Sequence, residues 1–130
     1  MPFPERQFTK QISLETYKEC ATTKDILSFD VFDTLLLRRV MYPTDVFSIM
    51  AIKTGIPNFK QIRIDAEEIA RKKSKNKEVT IDDIYENMVC FSASIKEQLK
   101  DLEFETECSV CYANPYVKQL FDYAISTKKW

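Results

Sequence analysis

A single stretch of this chain reads as a strand, and every other periodic stretch reads as helix. Residues 25–40, DILSFDVFDTLLLRRV, gather Ile26, Leu27, Phe29, Val31, Phe32 and Leu35 to Leu37. These apolar residues do not alternate cleanly with polar ones, which suits a strand covered on both faces, as in a parallel sheet. The spacing predicts one long strand over Ile26–Phe32, with Asp30 near its C-terminal end. A lone strand is not a sheet. Either a helical bundle carries an odd extended segment, or the other strands belong to something larger. Two aspartates inside the stretch sharpen the problem. Burying a polar group without a partner costs roughly 2–7 kcal/mol, and an ionised carboxylate costs more.

Around that strand the pattern is helical. Residues 11–21 read as a short helix leading into it. PTDVFSIMAIKTG places Pro43 near a helix start, Thr44 or Asp45 as its cap and Gly55 as its stop. In NFKQIRIDAEEIARKKS, residues Phe59, Ile62, Ala66, Ile69 and Ala70 fall at helical spacing. TIDDIYENMV opens with Thr80 and has Asp83 three residues on, as in a capping box. A helix over roughly 92–112 carries Ile95, Leu99, Leu102 and Val110 on one side, beside the acidic run DLEFETE. After Asn114-Pro115, a last helix has Val117, Leu120, Phe121 and Ala124 as its apolar stripe. Residues 43–113 are therefore expected to form four helices, with breaks near Gly55, Asn76–Val79 and Phe91. The basic run ARKKSKNK and the acidic run DLEFETE both read as solvated faces, and helically spaced aromatics as core.

Composition removes several chemistries. The 130 residues suffice for one modest domain with a single core. There is one glycine, where average usage of about 7% would give roughly nine; glycine-rich phosphate loops are nearly excluded. There is no histidine, so histidine triads and His-based proton transfer are out. A net charge of −1 makes no bulk case for nucleic acid or an anionic membrane. No apolar run approaches the roughly 20 residues of a membrane span, and MPFPERQFTK lacks the apolar core of a secretory signal. A cytosolic location is expected. The four cysteines, at 20, 90, 108 and 111, then read as free thiols. CSVC is a C-x-x-C without the further ligands a zinc site needs, and packing on a helix face is its expected role.

In a parallel sheet, ligands bind beyond the carboxyl ends of the strands, where Asp30, Asp33 and Thr34 fall. A carboxylate there can open onto a cleft, held by a cation or by neighbouring loops. It can also act as a nucleophile, splitting one hard displacement into two. The plainer reading is a strand-end turn with Asp caps. Arg38 and Arg39 could reach a substrate phosphate or could simply be solvated.

These residues carry a resemblance. SFDVFDTLL is similar to the first motif of the haloacid dehalogenase-like hydrolases: an apolar strand, a nucleophilic Asp and a Thr four residues on. The longer pattern FDTLLLRR…PTDVF…GIPNF…VTIDDIY…NPYVKQLFDYA resembles a bacterial subgroup found with glycosyltransferases in surface-polysaccharide systems. The resemblance implies a Rossmann-like α/β core, here represented by its first strand and flanking helices over 1–42. It implies a helical cap over 43–113 and a helix from 114 to 130 returning to the core, so the chain itself is mostly α. It makes Asp30 the nucleophile and a Mg²⁺ ligand, adds the Phe32 backbone carbonyl as a second ligand, and gives Thr34 the holding of the turn and a place in substrate binding. The substrate would be a small phosphorylated or sugar-linked molecule, with Arg38 near it.

The sequence departs from the pattern at Phe32, where phosphatases of the family place their acid–base Asp. Asp33 stands where glycine is usual. An aromatic at position 32 is similar to the dehalogenase branch, which needs no Mg²⁺. The family's later Ser/Thr, Lys and acidic pair have no counterparts in the sequence, which implies the N-terminal part of an enzyme, inactive alone. The competing expectations are a non-catalytic helical interaction protein that keeps the motif as a relic, or a dehalogenase-type C-halide hydrolase; self-association through the unpaired strand edge is a further expectation about partners.

Overall fold

The computed structural model describes residues 13–127. In chain order the elements are α1 (Leu14–Thr22), β1 (Leu36–Arg38), α2 (Asp45–Thr54), α3 (Phe59–Lys73), α4 (Ile81–Glu86), α5 (Ala93–Val110), β2 (Cys111–Ala113) and α6 (Pro115–Thr127). The chain is thus mostly helical. Where a single core was expected, it divides into two compact units, residues 38–112 and the described parts of 1–37 with 113–130.

The 38–112 unit is built from local signals that agree with one another. Thr80 and Asp83 form a complete capping box at the start of α4: the Asp83 amide donates to the Thr80 hydroxyl, and the Asp83 carboxylate takes the Thr80 amide at 2.8 Å. Gly55 ends α2 at φ +68, in the left-handed region where a residue without Cβ is favoured. Thr44 occupies the N-cap of α2 without a side-chain bond. Asp45 does the satisfying instead, its carboxylate accepting the Tyr42 amide at 2.8 Å. Ser92 caps α5. The breaks between α2, α3, α4 and α5 fall where Gly55, residues 76–79 and Phe91 place them. The last segment differs from expectation: residues 111–113 leave the helix as β2.

The core of this unit joins Val46 and Met50 of α2, Phe59 of α3, Tyr85 of α4, Met88 beyond it, and Leu99 of α5. Complete burial of Val46, Met50 and Phe59 is worth about 1.5–3 kcal/mol each relative to exposure. The buried stripe of α3 runs Phe59, Arg63, Ala66, Ala70. Ile69, expected inside, is exposed, and a charged residue stands in the stripe instead. On α5 the stripe is Leu99, Glu103, Thr106, Val110, and the expected Ile95 is exposed. Glu103 therefore corrects the reading of DLEFETE as a solvated face.

The two buried charges hold each other. Arg63 makes a forked pair with Glu103, Nε to Oε2 at 3.0 Å and Nη2 to Oε1 at 2.8 Å. The Tyr85 hydroxyl donates to Glu103 Oε2 at 2.6 Å, and Arg63 Nη1 reaches Glu67 at 2.9 Å. The guanidinium also lies 4.5 Å from the Phe47 ring centre. Burial alone would lower the Arg63 pKa, but the bonds and charge of Glu103, then Glu67, raise it instead. Burial, with the Glu103 carboxylate beside it, pushes the Tyr85 hydroxyl far up.

The second unit packs α1 on α6. Thr22 and Tyr123 share a hydroxyl–hydroxyl bond of 3.0 Å, and Lys18 sits 5.4 Å from the Tyr123 ring centre. The predicted stripe of α6 faces inward, with Ala124 buried and Val117, Leu120 and Phe121 half-buried. β1 and β2 form a two-stranded antiparallel sheet, flanked by Asn114 N–Leu35 O at 2.8 Å and Arg39 N–Val110 O at 2.8 Å.

The long strand over Ile26–Phe32 is not formed. These residues run irregularly to an isolated bridge between Phe32 and Leu36, and the strand proper is the shorter Leu36–Arg38. The reason is physical: a strand exists only against a hydrogen-bonded neighbour, and the sheet of the described residues contains β1 and β2 alone. Burial is one-sided. Leu27 and Phe29 turn inward while Ser28 and Asp30 are exposed and Ile26 is 85% exposed.

Candidate functional site

The site grows from the end of α1. Thr23 caps the helix by turning its amide back to Ala21 and Cys20, and the chain then runs through Leu27 and Phe29. Phe29 packs edge-on against Phe121, ring centres 5.3 Å apart at 86°. That contact anchors the segment and presents Asp30 at the start of a tight turn. Val31 O accepts the amides of Thr34 (3.4 Å) and Leu36 (2.9 Å), and the Asp33 amide returns to Leu36 O at 2.8 Å. Asp33 takes φ +60, the left-handed region, which Asp and Asn tolerate better than other side chains.

Inside this turn the Thr34 hydroxyl donates to Asp30 Oδ2 at 3.1 Å. The four-residue spacing seen in the sequence is a real side-chain pair. The expected desolvation problem does not arise, because both Asp30 and Asp33 are exposed. A carboxylate offers about four lone-pair sites, so one hydroxyl orients Asp30 and leaves capacity for an electrophile or a cation. Asp30 and Thr34 border a cavity of about 420 Å³ whose walls include Tyr17, Leu27, Phe29 and Tyr116. Lys24 and Cys20 also line it. The sequence marks Cys20 only as a free thiol and does not single out Lys24; Cys20 lies in the last turn of α1 and Lys24 just beyond it.

Other expected site residues fall differently. Phe32 lies in the turn with its side chain 46% exposed. Arg38 is engaged by Glu107, Nε to Oε1 at 2.8 Å, with little of its side chain exposed. Arg39 stacks 5.6 Å from the Tyr112 ring centre. The packing role expected for the C-x-x-C is not seen at Cys108, which is exposed, as are Cys20 and Cys90; Cys111 is half-buried.

Mg²⁺ takes oxygen ligands and is commonly held by one or two carboxylates together with substrate phosphate. Asp30 is one exposed carboxylate of that kind. Among the described residues no group of three or more Cys, Asp or Glu side chains is placed to hold a metal ion, and no helix is long and apolar enough to cross a membrane. Compared with known proteins, the chain matches no family model and is significantly similar to no curated protein.

Proposed function

We propose that this chain supplies the nucleophile-bearing part of a haloacid dehalogenase-like hydrolase acting on a small phosphorylated or sugar-linked substrate in the cytoplasm. The observation that carries this reading is the Asp30–Thr34 pair at 3.1 Å, held in a turn whose position 33 is left-handed. That is the conformation for which glycine, usual there in the family, is suited. Asp30 attacks the electrophilic centre through its carboxylate, and Thr34 keeps the attacking group oriented. Where Mg²⁺ takes part, Asp30 and the Phe32 carbonyl would hold it, and it would supply positive charge against the phosphate. The four helices of residues 38–112 serve as the cap. Phe32 leaves no proton donor two residues after the nucleophile, so another group protonates the leaving oxygen. The partner cation that phosphoryl transfer also needs comes from segments with the family's later motifs.

The test is hydrolysis of p-nitrophenyl phosphate and of a 2-chloro acid by the enzyme that carries these residues together with the later motifs. Asp30→Asn is expected to abolish nearly all turnover while circular dichroism is unchanged; wild-type turnover in that variant overturns the reading. Loss of activity on metal chelation assigns the phosphatase branch, and chelator-insensitive dehalogenation assigns the other, which the aromatic at position 32 favours. The chain of 130 residues with Mg²⁺ is expected to be inactive by itself.

A second reading rests on the exposure of Ile26, Val31 and Phe32: a non-catalytic chain that associates with a copy of itself through this segment. A monomer in sedimentation at all accessible concentrations excludes it.

A further inference from the structure

We propose that Cys108 and Cys111 form a redox-active dithiol, closing to a disulfide across the last turn of α5 by exchange with a small-molecule disulfide of the glutathione type.

The geometry comes first. α5 extends to Val110, so the Cα atoms of residues 108 and 111 are related by helical dihedrals. Three helical steps rise about 4.5 Å and leave the two Cα atoms about 5 Å apart. That lies within the roughly 4.4–6.8 Å that a disulfide spans. Residues three apart on a helix hold their Cβ atoms about 5–6 Å apart on one face, more than the roughly 3.5–4.5 Å of a disulfide, so closure draws in Cys111, which already leaves the helix with extended backbone at ψ 146.

The surroundings distinguish the two thiols. Cys108 is exposed, whereas Cys111 is half-buried. The Cys111 thiol donates to Glu107 Oε1 at 3.6 Å, and the same oxygen holds Arg38 Nε at 2.8 Å. Burial, then the charge and hydrogen bond of Glu107, raise the Cys111 pKa. Cys111 therefore keeps its proton in the resting state, and the solvent-facing Cys108 meets the oxidant.

The steps balance. The Cys108 thiolate attacks one sulfur of oxidised glutathione, forming a mixed disulfide and expelling one glutathione thiolate. Cys111 then gives its proton to the neighbouring carboxylate or to water. Its thiolate attacks the Cys108 sulfur, which forms the internal disulfide and expels the second glutathione thiolate. Two protein thiols are oxidised and one glutathione disulfide is reduced. Closure removes the thiol donor from Glu107, leaves its pair with Arg38, and fixes the residue at which β2 begins. A bridge that closes so short a ring, at an exposed sulfur, belongs to the readily reduced class.

The experiment uses the full chain in a Cys20→Ser, Cys90→Ser background, equilibrated with mixtures of oxidised and reduced glutathione. It is read by mass spectrometry after acid quench, with circular dichroism confirming the fold. Loss of two hydrogens without adduct, reversed by excess reduced glutathione, is expected. Cys111→Ser should trap glutathione on Cys108, and Cys108→Ser should take it up about tenfold more slowly, since the remaining thiol is protonated and less accessible. Glutathione persisting on Cys108 when both cysteines are present, a disulfide between two chains, or no reaction overturns the proposal. Equal or faster uptake by Cys108→Ser overturns the assigned order of attack.

Discussion

The two units of this chain spend similar apolar residues on different ends. In the 38–112 unit, Val46, Met50 and Phe59 are completely enclosed by one another's helices, and even the charges on the inner faces are paired. In the other unit only Ala21 and Ala124 are buried among the described residues, while Ile26, Val31 and Phe32 are exposed. The first unit encloses large apolar side chains; the second, among its described residues, leaves several of them exposed. That contrast is what a single strand-like segment among helices foreshadows, because helices satisfy their backbones internally and strands do not.

The largest effect should come from breaking the charge pair of the closed unit. Glu103→Ala leaves Arg63 buried with its main partner gone, at a cost of about 3–5 kcal/mol, read by denaturant unfolding. A double change to Arg63→Met and Glu103→Leu should recover most of it, since hydrophobic replacements of buried ion pairs are often neutral or better. A loss below about 1 kcal/mol in Glu103→Ala would mean that this interior is wet and that the contrast between the units is overstated.

Hydrogen exchange tests the contrast directly. Amides in the middle of α3 and α5 should exchange only through global opening, and those of α1 and α6 through local openings of lower free energy. Equal protection in the two units would break the comparison.

Alkaline pH offers a third handle. The Tyr85 hydroxyl has its pKa raised above the ordinary 10.0 by burial and by Glu103. Its share of stability is therefore complete below about pH 10 and declines as pH rises further, by up to about 1.4 kcal/mol per pH unit for one proton. The decline should be shallower in Tyr85→Phe. At neutral pH that variant should lose about 1–3 kcal/mol, because Glu103 forfeits a donor bound at 2.6 Å.

A smaller change of opposite sign is expected at Thr106. Its hydroxyl is completely buried and has no hydrogen-bond partner. Leaving such a group unpaired costs about 1–3 kcal/mol. Thr106→Val keeps the β-branched shape and should raise the melting temperature, corresponding to about 1 kcal/mol.

Sequence reasoning reached what is decided locally. The Thr80–Asp83 box and the Gly55 stop each lie within four residues and are found as expected, and the equally local Asp30–Thr34 spacing carries a side-chain hydrogen bond. Features decided by residues far along the chain were not legible. Glu103 meets Arg63 across 40 positions and Arg38 meets Glu107 across 69. A charged residue standing on an apolar stripe in two different helices was the available hint. The strand over Ile26–Phe32 failed for the same reason: its pattern describes a location inside a sheet, and the neighbours that define the sheet are non-local.

Ile26 gives the last and smallest effect, and the most telling one. In this chain the side chain is 85% exposed and borders nothing that buries it. Ile26→Lys should therefore change stability by no more than about 0.5 kcal/mol, the range for surface positions. In an assembly that covers both faces of residues 26–30, the same change removes an enclosed aliphatic group worth about 1.5–3 kcal/mol and forces an ammonium toward an apolar interior. The substitution thus reads out the surroundings of the segment. Neutrality in the isolated chain with strong destabilisation in the proposed enzyme identifies the open unit as one layer of a larger core. Neutrality in both would mean that the apolar run has no second covering layer, and that the likeness of this segment to a buried parallel strand ends at its sequence.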